Sequence, residues 1–325
     1  MTISTTDRLL FGYHMPSFTF PDTAPEELFD RVAANAQAAE SAGFDLVTVM
    51  DHFYQIRVVG PEEEPMLEAY STLAALAART SRVRLATMVT GVTYRNPALL
   101  AKEVTTLDVI SKGRAILGIG AAWNDTEHEG LGFEFPPIKE RMDRLEEALE
   151  ICHLMFTEER PTFSGRYYRI ARALNSPRPI QPGGPPILIG GSGERRTLRM
   201  VAKYADISNW FGPIDEMQHK LDVLQRHCEE VGRDPTTILR TVMLPVVLAA
   251  NQREAAAIQD RLPPERRAQV SPVTPEEAAD LIGRYRDLGF RGFVFRNAGG
   301  LMNPQGIGLA GEAIRMVRGE AAVPA

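Results

Sequence analysis

The chain has 325 residues, 44% of them hydrophobic, and its 36 Lys and Arg against 42 Asp and Glu leave a formal charge of −6. That balance lacks the basic excess that nucleic acid or an anionic membrane surface selects for, so neither partner is expected. The length suffices for one large core, no run of 18 apolar residues could span a membrane, and the polar start Met1–Arg8 has no signal-peptide core, so a soluble cytoplasmic protein is expected.

Short apolar runs alternate with amphipathic helical stretches from end to end. Leu9–Met15 predicts a strand and Ala24–Ala42 a helix, with Pro25 near its start, acidic Glu26 and Glu27 in its first turn, and Gly43 just past its end. Asp45–Met50 is the next strand and Leu67–Arg79 an Ala-rich helix. Strand Val83–Thr90 precedes helix Ala98–Ile110, and strand Arg114–Gly120 precedes the charged helix Ile138–Phe156. Thr157–Pro186 is rich in Pro, Gly, Arg and Tyr and reads as a long excursion. The alternation resumes with strand Ile187–Gly190, helix Glu194–Tyr204, strand Asp206–Trp210 and helix Asp215–Val231. Thr241–Ala249 is a long strand broken or bulged at Pro245. Helices near Gln252–Arg261 and Pro275–Leu288 lead to a last strand, Gly292–Phe295, and a closing helix around Ile307–Val317.

Eight strand–helix units in a chain of this length predict an α/β fold, a (β/α)8 TIM barrel. The whole of 1–325 is expected as one domain with an insertion at about 157–186; a doubly wound sheet with a small second domain is the alternative.

Such a barrel gathers its chemistry at the carboxyl ends of the strands. Those ends carry Tyr13-His14, Asp51-His52-Phe53, Met88-Val89-Thr90, Ala121-Ala122-Trp123-Asn124, Gly190-Gly191-Ser192-Gly193, Ser208-Asn209-Trp210 and Arg296-Asn297. His52 is suited to moving a proton near neutral pH, and a neighbouring carboxylate such as Asp51 can orient or charge its ring; a histidine buried by packing is the other reading. The glycine run enters the helix expected near Glu194, and backbone amides at such a start bind a phosphate, with Arg195 and Arg196 adding charge; a plain turn is the alternative. Asp125-Thr126-Glu127-His128 reads as a capped helix start rather than a metal site, and His153, His219 and His227 as surface or packing residues. Arg141, Arg144, Glu146, Glu147 and Glu150 are spaced as a solvated helix face. Cys152 and Cys228 have no metal-ligand spacing and read as free thiols.

Taken together, the motifs resemble the luciferase-like flavin and deazaflavin oxidoreductase superfamily. The resemblance rests on Ala39-Glu40-Ser41-Ala42-Gly43-Phe44-Asp45 leading to Asp51-His52-Phe53, on Thr93-Tyr94-Arg95-Asn96-Pro97-Ala98, on Leu117-Gly118-Ile119-Gly120-Ala121-Ala122-Trp123-Asn124, and on Pro185-Pro186-Ile187-Leu188-Ile189-Gly190-Gly191-Ser192-Gly193. The branch it looks most like is the coenzyme F420-dependent one. This resemblance implies a hydride-transferring oxidoreductase with His52 as proton donor or acceptor and Asp51 contacting or orienting atoms of the cofactor ring. It places Met88, Val89, Thr90, Ala121, Trp123 and Asn124 at the cofactor, with Gly190, Gly191 and Ser192 on its phosphate. It further implies a non-prolyl cis peptide at Met88–Val89 and an insertion, Thr157–Pro186, that covers the barrel mouth.

Members that oxidise sugar phosphates carry a Glu and a Trp about where this sequence has Phe18 and Ile56, together with lysines that form no visible cluster here, so sugar-phosphate oxidation is not expected. Tyr13, His14, Phe18, Phe53, Trp123, Trp210 and Phe211 would instead form an aromatic pocket for an uncharged or conjugated small molecule, each having core packing as its alternative. Other readings are an FMN-dependent monooxygenase fed by a separate flavin reductase and, less favoured because Asp51 and His52 are retained, a non-catalytic cofactor-binding protein. A homodimer joined through Leu67–Arg79 and Ala98–Ile110 is the default assembly.

Overall fold

Strands buried along nearly their whole length belong to a parallel sheet covered on both faces, and the described residues hold eight of them. A computed structural model describes residues 9–262, 267, 270–296 and 303–320; Met1–Arg8 and Asn297 lie outside the described residues. The strands are β1 (Leu10–Met15), β2 (Leu46–Val49), β3 (Arg84–Thr87), β4 (Ala115–Gly120), β5 (Ile187–Gly190), β6 (Ile207–Trp210), β7 (Leu239–Leu244) and β8 (Gly292–Arg296). Each pairs in parallel with the next, and β8 returns to β1 with Leu10 opposite Gly292, which closes a barrel and excludes the doubly wound sheet.

Around the barrel stand α1 (Leu28–Ser41), α2 (Ala69–Arg79), α3 (Pro97–Ile110), α4 (Asp125–Leu131), α5 (Ile138–Thr157), α6 (Thr197–Tyr204), α7 (Met217–Val231), α8 (Gln252–Arg261), α9 (Pro275–Asp287) and α10 (Pro304–Arg318). Among the described residues no helix is long and apolar enough to cross a membrane. Alternation along the strands separates two cores. Leu10, Leu46, Ile116, Leu188, Ile207, Leu239 and Val294 fill the barrel, while Phe11, Val47, Leu117, Val242 and Phe293 pack outward against the helices.

Local chemistry explains the boundaries. Asn96 caps α3 on the Ala98 amide, and Thr274 and Glu277 form a reciprocal capping box that starts α9. The strand expected over Thr241–Ala249 divides at Pro245, which has no N–H to donate; beyond it Val246–Leu248 pairs with Ser271–Val273 in a separate small sheet. The strand expected over Val83–Thr90 is also interrupted: β3 ends at Thr87, the chain bulges through a cis peptide at Met88–Val89, and Thr90–Gly91 rejoins β4 opposite Ile119 and Gly120.

Gly118 sits where that bulge presses on β4. A Cβ there would stand 2.0 Å from the Thr87 carbonyl oxygen, a backbone atom that cannot swing aside. Gly118→Ala is therefore expected to destabilise the fold by about 3 kcal/mol, the upper part of the overpacking range, measured as a lower denaturant midpoint at unchanged slope.

Two expectations about the middle of the chain are corrected. The insertion does not lie over the barrel mouth, because it must carry the chain from the end of α5 back to the amino end of β5. Its hydrogen bonds run to α3, α5 and the amino ends of β3 and β4: Ile180 and Gln181 donate to Asp108, Asn175 to Thr105 and Met155, and Arg84 to Gln181. The supposed solvated face of α5 is partly structural. Both oxygens of Glu147 accept from the Arg166, Tyr167 and Tyr168 amides at the turn of the hairpin Phe163–Ser164/Arg169–Ile170, and buried Arg141 lies 3.9 Å over the Phe135 ring.

Candidate active site

The carboxyl end of β2 delivers Asp51 and His52, and the two side chains go to different partners. His52 Nδ1 lies 2.6 Å from Glu127 Oε1, in the first turn of α4. Glu127 is fully buried; its other oxygen accepts from the Phe53 amide at 2.8 Å, and Tyr94 donates its hydroxyl to Oε1. Burial alone would raise the Glu127 pKa, but the hydrogen bond and charge of His52, then the bonds from Tyr94 and the Phe53 amide, together bring it below the usual carboxylate value. Trp123 stands edge-on to the imidazole at 5.4 Å between ring centres and is 59% exposed.

Asp51, expected to orient His52, points elsewhere. Arg95 grips both of its oxygens at 2.6 and 3.1 Å, and the same guanidinium holds Glu68 at 2.6 Å and Glu103 at 3.0 Å while lying 4.7 Å over the Tyr70 ring. Burial raises the Asp51 pKa even against the pull of Arg95, and burial raises that of Glu103 as well. Thr90, expected at the cofactor, belongs to this buried network through Tyr70 and Thr87.

Strand alternation sorts the expected aromatic pocket. His14 turns inward with Leu10, bonds Thr48 Oγ1 at 2.9 Å and neighbours Arg296 in register on β8. Burial, then the charges of Arg296 and His52, push its pKa down to about 3, so it is neutral at physiological pH. Tyr13 turns outward and packs edge-on against Phe44. Trp210 likewise turns outward, where Nε1 donates to Ser208 Oγ and the ring meets Phe290. Phe18 is fully buried in the same outer core, and Phe53 packs on Tyr94 and Phe133. Tyr13 and Trp210 pack outward because adjacent strand residues face opposite sides, Phe18 is buried in the outer core beyond the strand, and Phe53 is half-buried beside the His52–Glu127 pair.

The barrel mouth has a glycine-lined step. A Cβ on Gly120 would meet Val89 Cγ2 at 2.9 Å, and one on Gly190 would meet it at 3.0 Å, so both glycines make room for the Met88–Val89 bulge. Met88 itself fills the top of the barrel interior. Beyond β4 the chain turns at Ala122, whose φ of +60 is uncommon for a residue with a side chain, and this turn presents half-buried Ala121 and the exposed Trp123 ahead of buried Asn124.

At the end of β5, Gly191 has φ +101 and donates its amide to Asn209, and Ser192 Oγ lies 3.2 Å from Lys220 Nζ on α7. α6 begins at Thr197, later than expected, with no side chain capping its first amides. Neighbouring Asn209 is fully buried, accepts from Thr241 Oγ1 at 2.8 Å, and leaves Nδ2 without a partner.

Glu127, Tyr94, Arg95 and Lys220 are therefore candidate site residues that the sequence reading did not single out. Glu127 stood in a run already noted, and a carboxylate in the first turn after a strand end was the available signal. His128 beside it is fully buried, with Nδ1 on the Asn124 carbonyl and Nε2 on Thr93 Oγ1. A recess of about 1280 Å3 lies at the opposite end of the barrel, around Asp45, Arg84, Arg114 and Arg318, far from this chemistry.

A family model described as luciferase-like monooxygenase matches residues 10–287, and the chain belongs to that family. Its relatives include F420-dependent glucose-6-phosphate dehydrogenases from Intrasporangium calvum, 34% identical with 85% of this chain and 90% of the relative covered, and from Nakamurella multipartita, 32% identical with 89% and 91% covered. Among solved structures, an F420-dependent secondary alcohol dehydrogenase in complex with an F420–acetone adduct superposes with a TM-score of 0.79 at 19% identity, covering 96% of this chain and 100% of that one. A long-chain alkane monooxygenase gives 0.80 at 16% identity, covering 98% and 93%. At those identities the structures testify to a shared barrel.

Proposed function

We propose that the chain is a coenzyme F420-dependent oxidoreductase that moves a hydride between the deazaflavin and a small organic substrate. The observation that carries this reading is His52, held through Nδ1 by a buried carboxylate at the mouth of a barrel whose similar named relatives use F420.

The residues fit the cofactor. Gly190, Gly191 and Ser192, with Lys220 beside Ser192, would form a cradle for a phosphate. Met88, Val89, Ala121, Trp123 and Asn124 would border the ring, and the unpaired Nδ2 of Asn209 is a buried donor next to Gly190. When bound, the deazaflavin supplies a hydride donor or acceptor; the protein aligns the two partners and moves one proton. His52 does the latter, exchanging a proton with the substrate, while Asp51 anchors the β2 end on Arg95.

The substrate is proposed to be uncharged. Trp123 and Phe211 expose aromatic surface beside the strand ends. The protein is further proposed to be a cytoplasmic homodimer, supported by Leu99 and Ile110, which stand exposed on α3; a monomer by light scattering overturns the dimer.

Titrating the purified protein with oxidised F420 and, separately, FMN tests the cofactor through its fluorescence. Tight F420 binding with weak FMN binding is expected. The reverse preference overturns the proposal in favour of a reduced-FMN monooxygenase with a partner reductase. With F420 bound, glucose 6-phosphate is expected to give no F420 reduction, and rapid reduction would overturn the substrate assignment.

A further inference from the structure

Glu127 is surrounded by donors. The Phe53 amide can only donate, Tyr94 donates its hydroxyl, and the third neighbour of the carboxylate is His52 Nδ1 at 2.6 Å. An ionised carboxylate only accepts, so a contact this short needs a proton on Nδ1. We propose that Glu127 is the positioning residue of the site: it holds His52 in the Nδ1–H tautomer and thereby makes Nε2 the nitrogen that exchanges a proton with substrate. This rests on the reading of His52 as proton donor or acceptor.

Four further observations support it. Glu127 is the third residue of α4, where the partial positive charge of the helix start favours a carboxylate. His52 Nε2 has no hydrogen-bond partner among the described residues, whereas Nδ1 is committed. The edge of Trp123 on the imidazole restricts rotation of the ring. α4 is itself fixed, because His128 bonds Thr93 and the Asn124 carbonyl and stacks on Tyr94 at 4.8 Å. The carboxylate adjacent in sequence, Asp51, cannot take this part, since both its oxygens are held by Arg95.

The test is nitrogen-15 NMR of histidine-labelled, cofactor-free protein at a pH where the ring is neutral, with the His52 signals assigned by their loss in His52→Gln. The expected wild-type spectrum has Nδ1 protonated and Nε2 bare. In Glu127→Gln the Phe53 amide claims the new carbonyl oxygen, so the amide NH2 faces Nδ1 and the ring is expected to switch to Nε2–H. Tyr94→Phe removes one donor but leaves the carboxylate, and is expected to keep the wild-type tautomer. A wild-type ring carrying its proton on Nε2 overturns the proposal even if Glu127→Gln fails to fold, and so does a Glu127→Gln ring that keeps Nδ1–H. A purely structural role for Glu127 would not move the tautomer. Because the measurement needs no cofactor, failure of F420 to bind would count against the proposed function and leave this result intact.

Discussion

His52→Ala is expected to lower F420-linked turnover by about 10²–10⁴-fold, the usual worth of a positioned general acid or base, while leaving F420 affinity nearly unchanged. The separation follows from the geometry. The groups assigned to the cofactor phosphate, Gly190 to Ser192 with Lys220, lie at the ends of β5 and α7, away from the His52–Glu127 pair. Removing the imidazole therefore strips the proton carrier and spares the cradle. Steady-state kinetics with the best acceptor from a screen, set beside fluorescence titration of the cofactor, reads both quantities. Full turnover in the variant would eliminate the role given to His52, and an absence of turnover in the wild type with intact F420 binding would point to a non-catalytic binder.

The second large effect is on stability. Among the described residues Arg95 is the one cation that contacts Asp51, Glu68 and Glu103, and its side chain is only 9% exposed. Arg95→Leu keeps the apolar stem but leaves Asp51 buried and unpaired, which is expected to destabilise the protein by about 3–5 kcal/mol at neutral pH. The loss should shrink on acidification. Asp51 and Glu103 already have raised pKa values in the folded chain, through burial, and losing the guanidinium raises them further. The folded state then binds more protons than the unfolded one over the window from the ordinary carboxylate value of about 4 up to the raised values, so stability falls as pH rises through that window and is regained as pH falls. Denaturant midpoints of variant and wild type measured across this range check the sign. A variant whose deficit is constant or grows toward acid would show that the carboxylates are not what Arg95 restrains.

Much of the architecture was legible because its causes are local. Apolar runs of strand length, Pro25 and Gly43 framing a helix, and Pro245 dividing a strand all act within a few residues. The glycine run at Gly190 was read as a phosphate loop or a turn; that Gly190 also makes room for Val89 was not legible, since it depends on a bulge brought in from β3. Tyr13 and Trp210 were misplaced by treating strand ends as uniformly inward; their neighbours His14 and Asn209 take the interior positions.

What the sequence by itself determined is therefore the barrel and the placing of Asp51 and His52 at a strand end, because each depends on short-range periodicity alone; the proton role proposed for His52 came from the family resemblance. The tertiary structure decided which carboxylate serves that histidine. Asp51 is its neighbour in the chain, yet Glu127, 75 positions away, is its partner. Successive residues leaving a strand point apart, whereas closure of the barrel brings the start of α4 against the end of β2. Hydrogen bonding follows distance in space, and that distance is set by the packing of the whole barrel.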